Sequence, residues 1–309
     1  MSEARYRAAE RALWSSLGIT PVERTLDLGV FDGRVRVQEL GDGPPVLFIH
    51  GANTSGISWA TLAAKLPGFR CILLDRPGTG LSESPRRRPD LAGFLRTADA
   101  LVPEVLDALG VASAHVVATS LGGLIGLRGA AANPDRVERM VQFSWPAGAP
   151  TTHVPASMRL MAIPGMASLA AAAPATDRTV RAIFRSVGHG PSLDAGRITK
   201  ADVDTYLALL RETSTLRNEL ALGGITASLR GGLRPELLPE SLLASIRTPT
   251  MFIWGERDAF GGPDIARDVV ARIPGAKLQV LPGAGHAPWL DDLDRCAALT
   301  ATFLPGGGV

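Results

Sequence analysis

Ser120 stands where a nucleophile would be best presented. The run His115-Val116-Val117-Ala118 reads as a strand, Thr119 follows, and Ser120-Leu121-Gly122-Gly123 opens a helical pattern. A strand that turns into a helix within one or two residues lifts the side chain at the turn above the sheet, beside a helix N-terminus. Strand and helix nearly touch there, so the neighbours must be small; Gly122, Gly123 and Gly126 meet that need on the helix side. The position two before the serine, where glycine is usual, is Ala118. A serine hydroxyl attacks poorly unless a base takes its proton.

Of the five histidines, His286 suits that role. It closes Pro282-Gly283-Ala284-Gly285-His286, a loop just past the last strand, and a base that comes last follows the chain order Ser, acid, His. His115 begins a strand, His153 and His189 fall in a strand-free segment, and His50 beside Gly51 is better placed to brace a loop. The acid that orients the base should follow the preceding strand. There Trp254-Gly255-Glu256-Arg257-Asp258 offers two carboxylates, of which Asp258 lies further into the loop. Such an acid fixes the imidazole tautomer and stabilises the imidazolium.

Acyl chemistry also needs donors for a developing oxyanion. The Leu121 N–H at the helix start is one candidate, and the Ala52 N–H in the His50-Gly51-Ala52-Asn53 loop is the other. Loss of one such donor typically costs on the order of 10²–10³ in turnover. Asn53, Trp59, Met161 and Trp289 are candidates for the substrate pocket, with turn formation the alternative for Asn53 and core packing the alternative for Trp59.

These residues need a sheet edge to converge on. Val46–Ile49, Cys71–Leu74, His115–Ala118, Met140–Phe143, Met251–Trp254 and Leu278–Leu281 are continuous apolar runs, the pattern of strands covered on both faces. Around Glu23–Asp27 and Arg34–Glu39 lies an apparent antiparallel pair. Leu91, Leu95, Ala98, Val102, Val105 and Leu109 recur at helical spacing, with Gly110 as a stop and Pro103 predicting a kink or a split. Further helices are predicted from Pro263 to Ile273 and from Asp291 to Leu304. Alternating strands and helices argue an α/β domain with a mostly parallel central sheet flanked by helices. From about Pro146 to Ile246 the strand signal disappears and helical patterns replace it, notably Asp177–Val187 and a capping box at Thr199 and Asp202. The expected organisation is a core of residues 1–145 and 247–309 with a helical cap, 146–246, inserted between two strands. Ligands in such folds bind at the carboxyl ends of the strands.

Composition narrows the partners. The chain has 309 residues, 46% hydrophobic and 20% charged, with a formal net charge of +2. That balance favours neither nucleic acid nor an anionic membrane surface. Arg86-Arg87-Arg88 lies between prolines and reads as a solvated loop. Cys71 and Cys296 have no metal-site spacing and form no disulfide framework. The charged start Met1-Ser2-Glu3-Ala4-Arg5 has no apolar run after it, which predicts a cytoplasmic chain without a secretory leader. No H-E-x-x-H or P-loop occurs, and neither a metal nor an organic cofactor is expected.

Together, His50-Gly51, Asp75-Arg76-Pro77-Gly78-Thr79-Gly80-Leu81-Ser82, Ser120-Leu121-Gly122-Gly123, Gly255-Glu256-Arg257-Asp258 and Gly285-His286 resemble the α/β-hydrolase superfamily over nearly the whole chain. The nearest resemblance is to its lid-bearing bacterial branch of esterases, perhydrolases, epoxide hydrolases and carbon–carbon bond hydrolases. It implies a cofactor-free mechanism, a Ser120-His286-Asp258 triad, and a structural role for the Asp75–Ser82 turn. Epoxide hydrolases and haloalkane dehalogenases carry aspartate at the nucleophile turn, so Ser120 argues against both. Carbon–carbon hydrolases usually carry an aromatic directly after the catalytic histidine; Ala287-Pro288-Trp289 is more similar to the esterase pattern. The expectation is a serine esterase, with carbon–carbon hydrolase, lactonase or perhydrolase as alternatives on the same triad, and a non-enzymatic small-molecule receptor as an alternative of another class. The apolar run containing Met158, Leu160, Met161, Ile163, Met166 and Leu169 favours an apolar acyl or alcohol group, though packing on the core would demand the same composition.

Overall fold

The computed structural model describes residues 2–150, 175–227 and 232–305. Eight strands form one sheet in the order β1-β2-β4-β3-β5-β6-β7-β8. They are β1 (Val22–Leu28), β2 (Gly33–Leu40), β3 (Pro45–Ile49), β4 (Arg70–Leu74), β5 (Ala114–Thr119), β6 (Val137–Phe143), β7 (Thr250–Gly255) and β8 (Lys277–Leu281). β1 and β2 pair antiparallel, β2 joins β4 antiparallel, and every later pairing is parallel.

Five of the six apolar runs became the inner strands β3 to β7 because both faces are covered; the sixth, Leu278–Leu281, lies in the edge strand β8, where Gln279 is exposed and Leu278 and Val280 are only half-buried. Every residue of β5 and of β7 is buried, whereas the edge strands β1 and β8 alternate or lie open. Leu47 and Ile49 of β3 pack into the layer containing Leu101, Val105 and Leu124. Val46 and Phe48 face the opposite layer with Trp59, Leu62 and Phe143. This period-2 split makes one strand the centre of two cores.

The helix Leu91–Ala108 runs unbroken through Pro103, without a split, and Asp90 caps its start by accepting from Gly93 N–H. Between β6 and β7 the described elements are the helices Asp177–Phe184, Gly190–Asp194, Lys200–Glu212, Thr215–Thr226 and Glu240–Ser245, with an isolated bridge between Ala227 and Leu233. The Thr199–Asp202 capping box forms with both of its reciprocal hydrogen bonds. The helix expected to reach Val187 stops at Phe184 and passes into a wide turn, Arg185–His189, in which Gly188 has φ +98°.

An N-terminal helix, Glu3–Ser16, has no counterpart among the sequence expectations. Its buried side is Tyr6, Glu10, Leu13 and Trp14, and the acidic member breaks the apolar stripe that would have announced it. Glu10 is paired with Arg36 at 2.7 Å, and Tyr6 Oη lies 2.8 Å from Ser55 Oγ. Thr205 Oγ1 donates to the Ala9 carbonyl, and Ser2 N–H donates to Glu212. The helix therefore bridges the sheet and the inserted segment. Among the described residues no helix is long and apolar enough to cross a membrane.

Candidate active site

Ser120 has φ +50°, a left-handed conformation that costs a non-glycine residue energy and persists only where its surroundings enforce it. The enforcement is visible. A Cβ on Gly122 would collide with the carbonyls of Ile49 and His50, so only glycine lets the helix start this close to β3. A Cβ on Gly51 would lie 3.1 Å from Ser120 Cβ. Ala118 is accommodated because Gly126 faces it: a Cβ there would already lie 3.4 Å from that of Ala118 and 2.8 Å from Met140. The helix Ser120–Ala132 begins at the serine itself, so the Leu121 N–H is one of the first-turn donors that no helix carbonyl can reach. Among the described residues neither Leu121 N–H nor Ala52 N–H donates in a hydrogen bond.

β7 and β8 bring two further loops to the same rim. His286 Nδ1 lies 2.9 Å from Asp258 Oδ1. The carboxylate is wholly enclosed and also accepts from Phe260 N–H at 2.9 Å and Trp145 N–H at 3.0 Å. A carboxylate surrounded by donors accepts only, so the Nδ1 position carries the imidazole proton and Nε2 keeps its lone pair. That Nε2 is buried and without a hydrogen-bond partner among the described residues. Glu256, the other carboxylate of the loop, accepts instead from Gly283 N–H at 2.8 Å.

His50 braces the opposite loop. Its Nδ1 lies 2.8 Å from the Gly51 carbonyl, and its Nε2 accepts from Arg76 N–H at 3.1 Å. Burial, with the Arg76 cation beside it, holds its pKa well below the usual imidazole range, so the ring stays neutral. Asp75 takes Gly56 N–H at 2.7 Å and Leu81 N–H at 3.0 Å, closing the turn that ends β4.

A cavity of about 250 Å³ lies against Ser120 and His286. Ala52, Asn53, Trp289, Phe260 and Leu290 line it from the core; Ile183, Phe184, Val187, His189, Tyr206 and Leu209 line it from the insertion. Leu13 reaches it from the N-terminal helix. Among the described lining residues none is lysine or arginine. Trp289 stacks on Trp59 at 4.1 Å between ring centroids, and its Nε1 donates to the Ser58 carbonyl. Trp59 itself does not reach the cavity. It is fully buried between Phe48, Phe143 and Trp289, the core-packing alternative, and of the two tryptophans expected at the pocket Trp289 alone lines the cavity. Met161 lies outside the described residues. Leu13, Phe260 and His189 escaped sequence reading, because each reaches the cavity through long-range packing that no local spacing announces.

Residues 44–293 match the family model for the alpha/beta hydrolase fold. The chain belongs to the α/β-hydrolase fold family. Within it, the chain is 28% identical to a 2-hydroxy-6-oxononadienedioate/2-hydroxy-6-oxononatrienedioate hydrolase of Pseudomonas putida, over 84% of this chain and 88% of that one. Among solved α/β-hydrolase structures, a carboxylesterase of Bacillus subtilis superimposes with a TM-score of 0.77 at 20% identity, covering 99% of both chains. A 2-hydroxy-6-oxo-6-phenylhexa-2,4-dienoate hydrolase of Rhodococcus gives 0.76 at 19% identity, covering 92% of this chain and 98% of that one. By its family the chain is a hydrolase.

Proposed function

We propose that this α/β-hydrolase cleaves an uncharged, largely apolar carboxylic ester through an acyl-enzyme on Ser120. His286 Nε2 takes the hydroxyl proton as the serine oxygen attacks the carbonyl carbon. The Leu121 and Ala52 amides hold the oxygen as it becomes negative, where preorganised donors count most. Collapse expels the alcohol, which takes the proton back from His286. The same imidazole then activates a water that releases the acid. Asp258 keeps the ring in the working tautomer throughout. The helical insertion, residues 146–246, serves as a cap over this site.

The observation that carries the reading is the enclosed Asp258–His286 pair with its free Nε2, at one rim of the sheet with a serine held at positive φ. The cavity lining favours an uncharged substrate: its surface is mostly apolar, and among the described lining residues the sole carboxylate, Asp202, would repel an anion. A second reading, carbon–carbon cleavage of a vinylogous diketone, has support from the curated relatives, whose names specify such substrates. Those substrates are dicarboxylates, and the described lining offers no cation to pair with them.

The test is a panel of p-nitrophenyl esters of rising chain length beside a 2-hydroxy-6-oxo-dienoate, with covalent labelling by a serine-directed fluorophosphonate. Expected are burst release of nitrophenol and stoichiometric labelling of Ser120, both absent in Ser120→Ala. Turnover of the dienoate with esters inert would replace the ester reading by the second one. Equal behaviour of wild type and Ser120→Ala would end both.

A further inference from the structure

The insertion does more than roof the cavity. Its turn Arg185–His189 is built into the loop that carries His286. The His286 N–H donates to the Val187 carbonyl at 2.9 Å, and the next amide, Ala287 N–H, donates to His189 Nε2 at 3.1 Å. The preceding amide, Gly285 N–H, goes to Asp291 Oδ2 at 2.8 Å. His189 Nδ1 lies 2.8 Å from that same oxygen. Three successive amides around the base therefore end on one peptide carbonyl and one histidine–carboxylate pair.

The approach is as close as backbone permits. A Cβ on Gly188 would lie 2.5 Å from the Arg257 carbonyl oxygen, in the acid loop, and 2.8 Å from Gly285 Cα. A Cβ on Gly285 would lie 2.7 Å from the Val187 carbonyl oxygen and 2.8 Å from His189 Cε1. A Cβ on Gly255 would collide with the Gly285 carbonyl. Glycines at 188, 255 and 285 thus let the insertion, the acid loop and the base loop stack without side chains between them.

His189 is fully buried. Its donor and acceptor roles are set by what it meets: the Asp291 carboxylate only accepts and the Ala287 amide only donates, so Nδ1 carries the proton and Nε2 the lone pair. Although burial raises the Asp291 pKa, the hydrogen bonds from His189, Ser192 and Gly285 outweigh it and hold the carboxyl below its ordinary value, so it is anionic at neutral pH. Ser192 Oγ, also in the insertion, donates to the other carboxylate oxygen.

We propose that His189, held by Asp291, is a positioning residue for the catalytic base: it fixes the 285–287 backbone so that the His286 ring faces Asp258, and so makes the reactivity of the core depend on the seating of the insertion. The inference rests on the reading of His286 as the base. It adds a second histidine–carboxylate pair, one that acts through the backbone and touches no reacting atom.

Two substitutions separate positioning from plain packing. His189→Asn places an amide near the level of Nδ1, keeping Asp291 but losing Ala287 N–H; His189→Gln extends an oxygen to the Nε2 level, keeping Ala287. Each loses one hydrogen bond, so their losses in Tm should be similar. Their reactivities should not. Phosphonylation of Ser120 and ester kcat are expected to fall roughly tenfold in His189→Asn with KM little changed, and to stay within about threefold of wild type in His189→Gln. In parallel, the ¹⁵N shifts of the His286 ring should lose their Nδ1–H signature in His189→Asn alone. Unchanged ring shifts and wild-type phosphonylation in both variants would overturn the proposal, as would equal slowing of both in proportion to lost Tm. A wild-type protein that resists the phosphonate would sink the acyl-enzyme reading, and the ring shifts would still decide this one.

Discussion

Arg76 and Glu219 meet at 2.6 Å with both side chains almost completely buried, although 143 positions separate them in sequence. The same guanidinium donates to the carbonyls of His50 and Gly51 at 3.0 and 2.9 Å. One cation therefore ties the helix Thr215–Thr226 of the insertion to the loop that carries Ala52. Thr215 Oγ1 accepts from Gly80 N–H, and Asn218 donates to the Gly78 carbonyl, so the helix also grips the turn after β4.

Removing one partner of a buried pair strands the other charge without solvent. Glu219→Ala is expected to destabilise the fold by about 3 kcal/mol or more, while Glu219→Gln, which keeps an acceptor for Arg76, should lose less. Urea unfolding of both variants measures this. Because Arg76 also holds Gly51, kcat for Glu219→Ala should fall even at temperatures where the variant is folded. A fully active, fully stable Glu219→Ala would show that the tie is dispensable.

The Asp258 carboxylate receives three hydrogen bonds, from His286 Nδ1, Phe260 N–H and Trp145 N–H. An asparagine has one acceptor oxygen and two donor hydrogens, so one of those three groups must face an N–H. His286 and Phe260 share Oδ1 while Trp145 has Oδ2; if the amide oxygen takes the Oδ2 place, its NH2 faces the imidazole, which turns its lone pair to the amide and presents a proton to Ser120, the wrong tautomer for a base. Asp258→Asn is therefore expected to fold and to lose roughly 10³–10⁴ in kcat. Ester kinetics with far-UV circular dichroism check both halves of that statement.

How much of this was legible beforehand follows from the range over which each signal acts. The inner strands were readable because burial on both faces writes itself into four consecutive residues, as in Val46–Ile49 and Met251–Trp254. The strand-to-helix turn at Ser120 was readable because it imposes small neighbours at fixed offsets, and Gly122 lies within collision distance of β3. The meeting of His286 and Asp258 at the sheet rim followed from their places after consecutive strands. The N-terminal helix was not readable, since its buried face includes Glu10, whose partner Arg36 is supplied from a different element. Nor was the wall formed by Leu13 and His189, which depends on how the insertion settles. Trp59 and Trp289 show the limit plainly: two tryptophans in contact, of which only one reaches the cavity, and no sequence spacing distinguishes them.

His50 gives the chain a stability that depends on pH. Its folded pKa lies well below the ordinary value, so the unfolded state binds a proton that the folded state refuses. The sign follows: its contribution is complete above the unfolded pKa of about 6.5 and is lost as pH falls from there toward the depressed folded value. A single such group predicts a slope of about 1.4 kcal/mol per pH unit below pH ~6. Urea midpoints measured between pH 7.5 and 5 read that slope, and His50→Gln should flatten it. A midpoint constant over that range would mean the ring is protonated in the fold, which its acceptor role toward Arg76 N–H forbids.

Leu13 brings the N-terminal helix to the cavity wall. It lines the cavity together with Leu209 of the insertion and Ile57 of the core, and it is 5% exposed. Its own helix is held by Tyr6 to Ser55 and by Glu10 to Arg36, so a bulkier side chain at position 13 cannot be absorbed by sliding the helix outward. The added volume must enter the cavity or strain the packing around it. Leu13→Trp is therefore expected to lower kcat/KM for long acyl esters by roughly tenfold, the scale of one or two methylene contacts in an apolar pocket, and to leave acetate esters within about twofold. Chain-length profiles of wild type and variant decide it. A uniform loss across all lengths would place the damage in the fold, whereas a loss confined to acetate would mean that the acyl chain lies away from this wall.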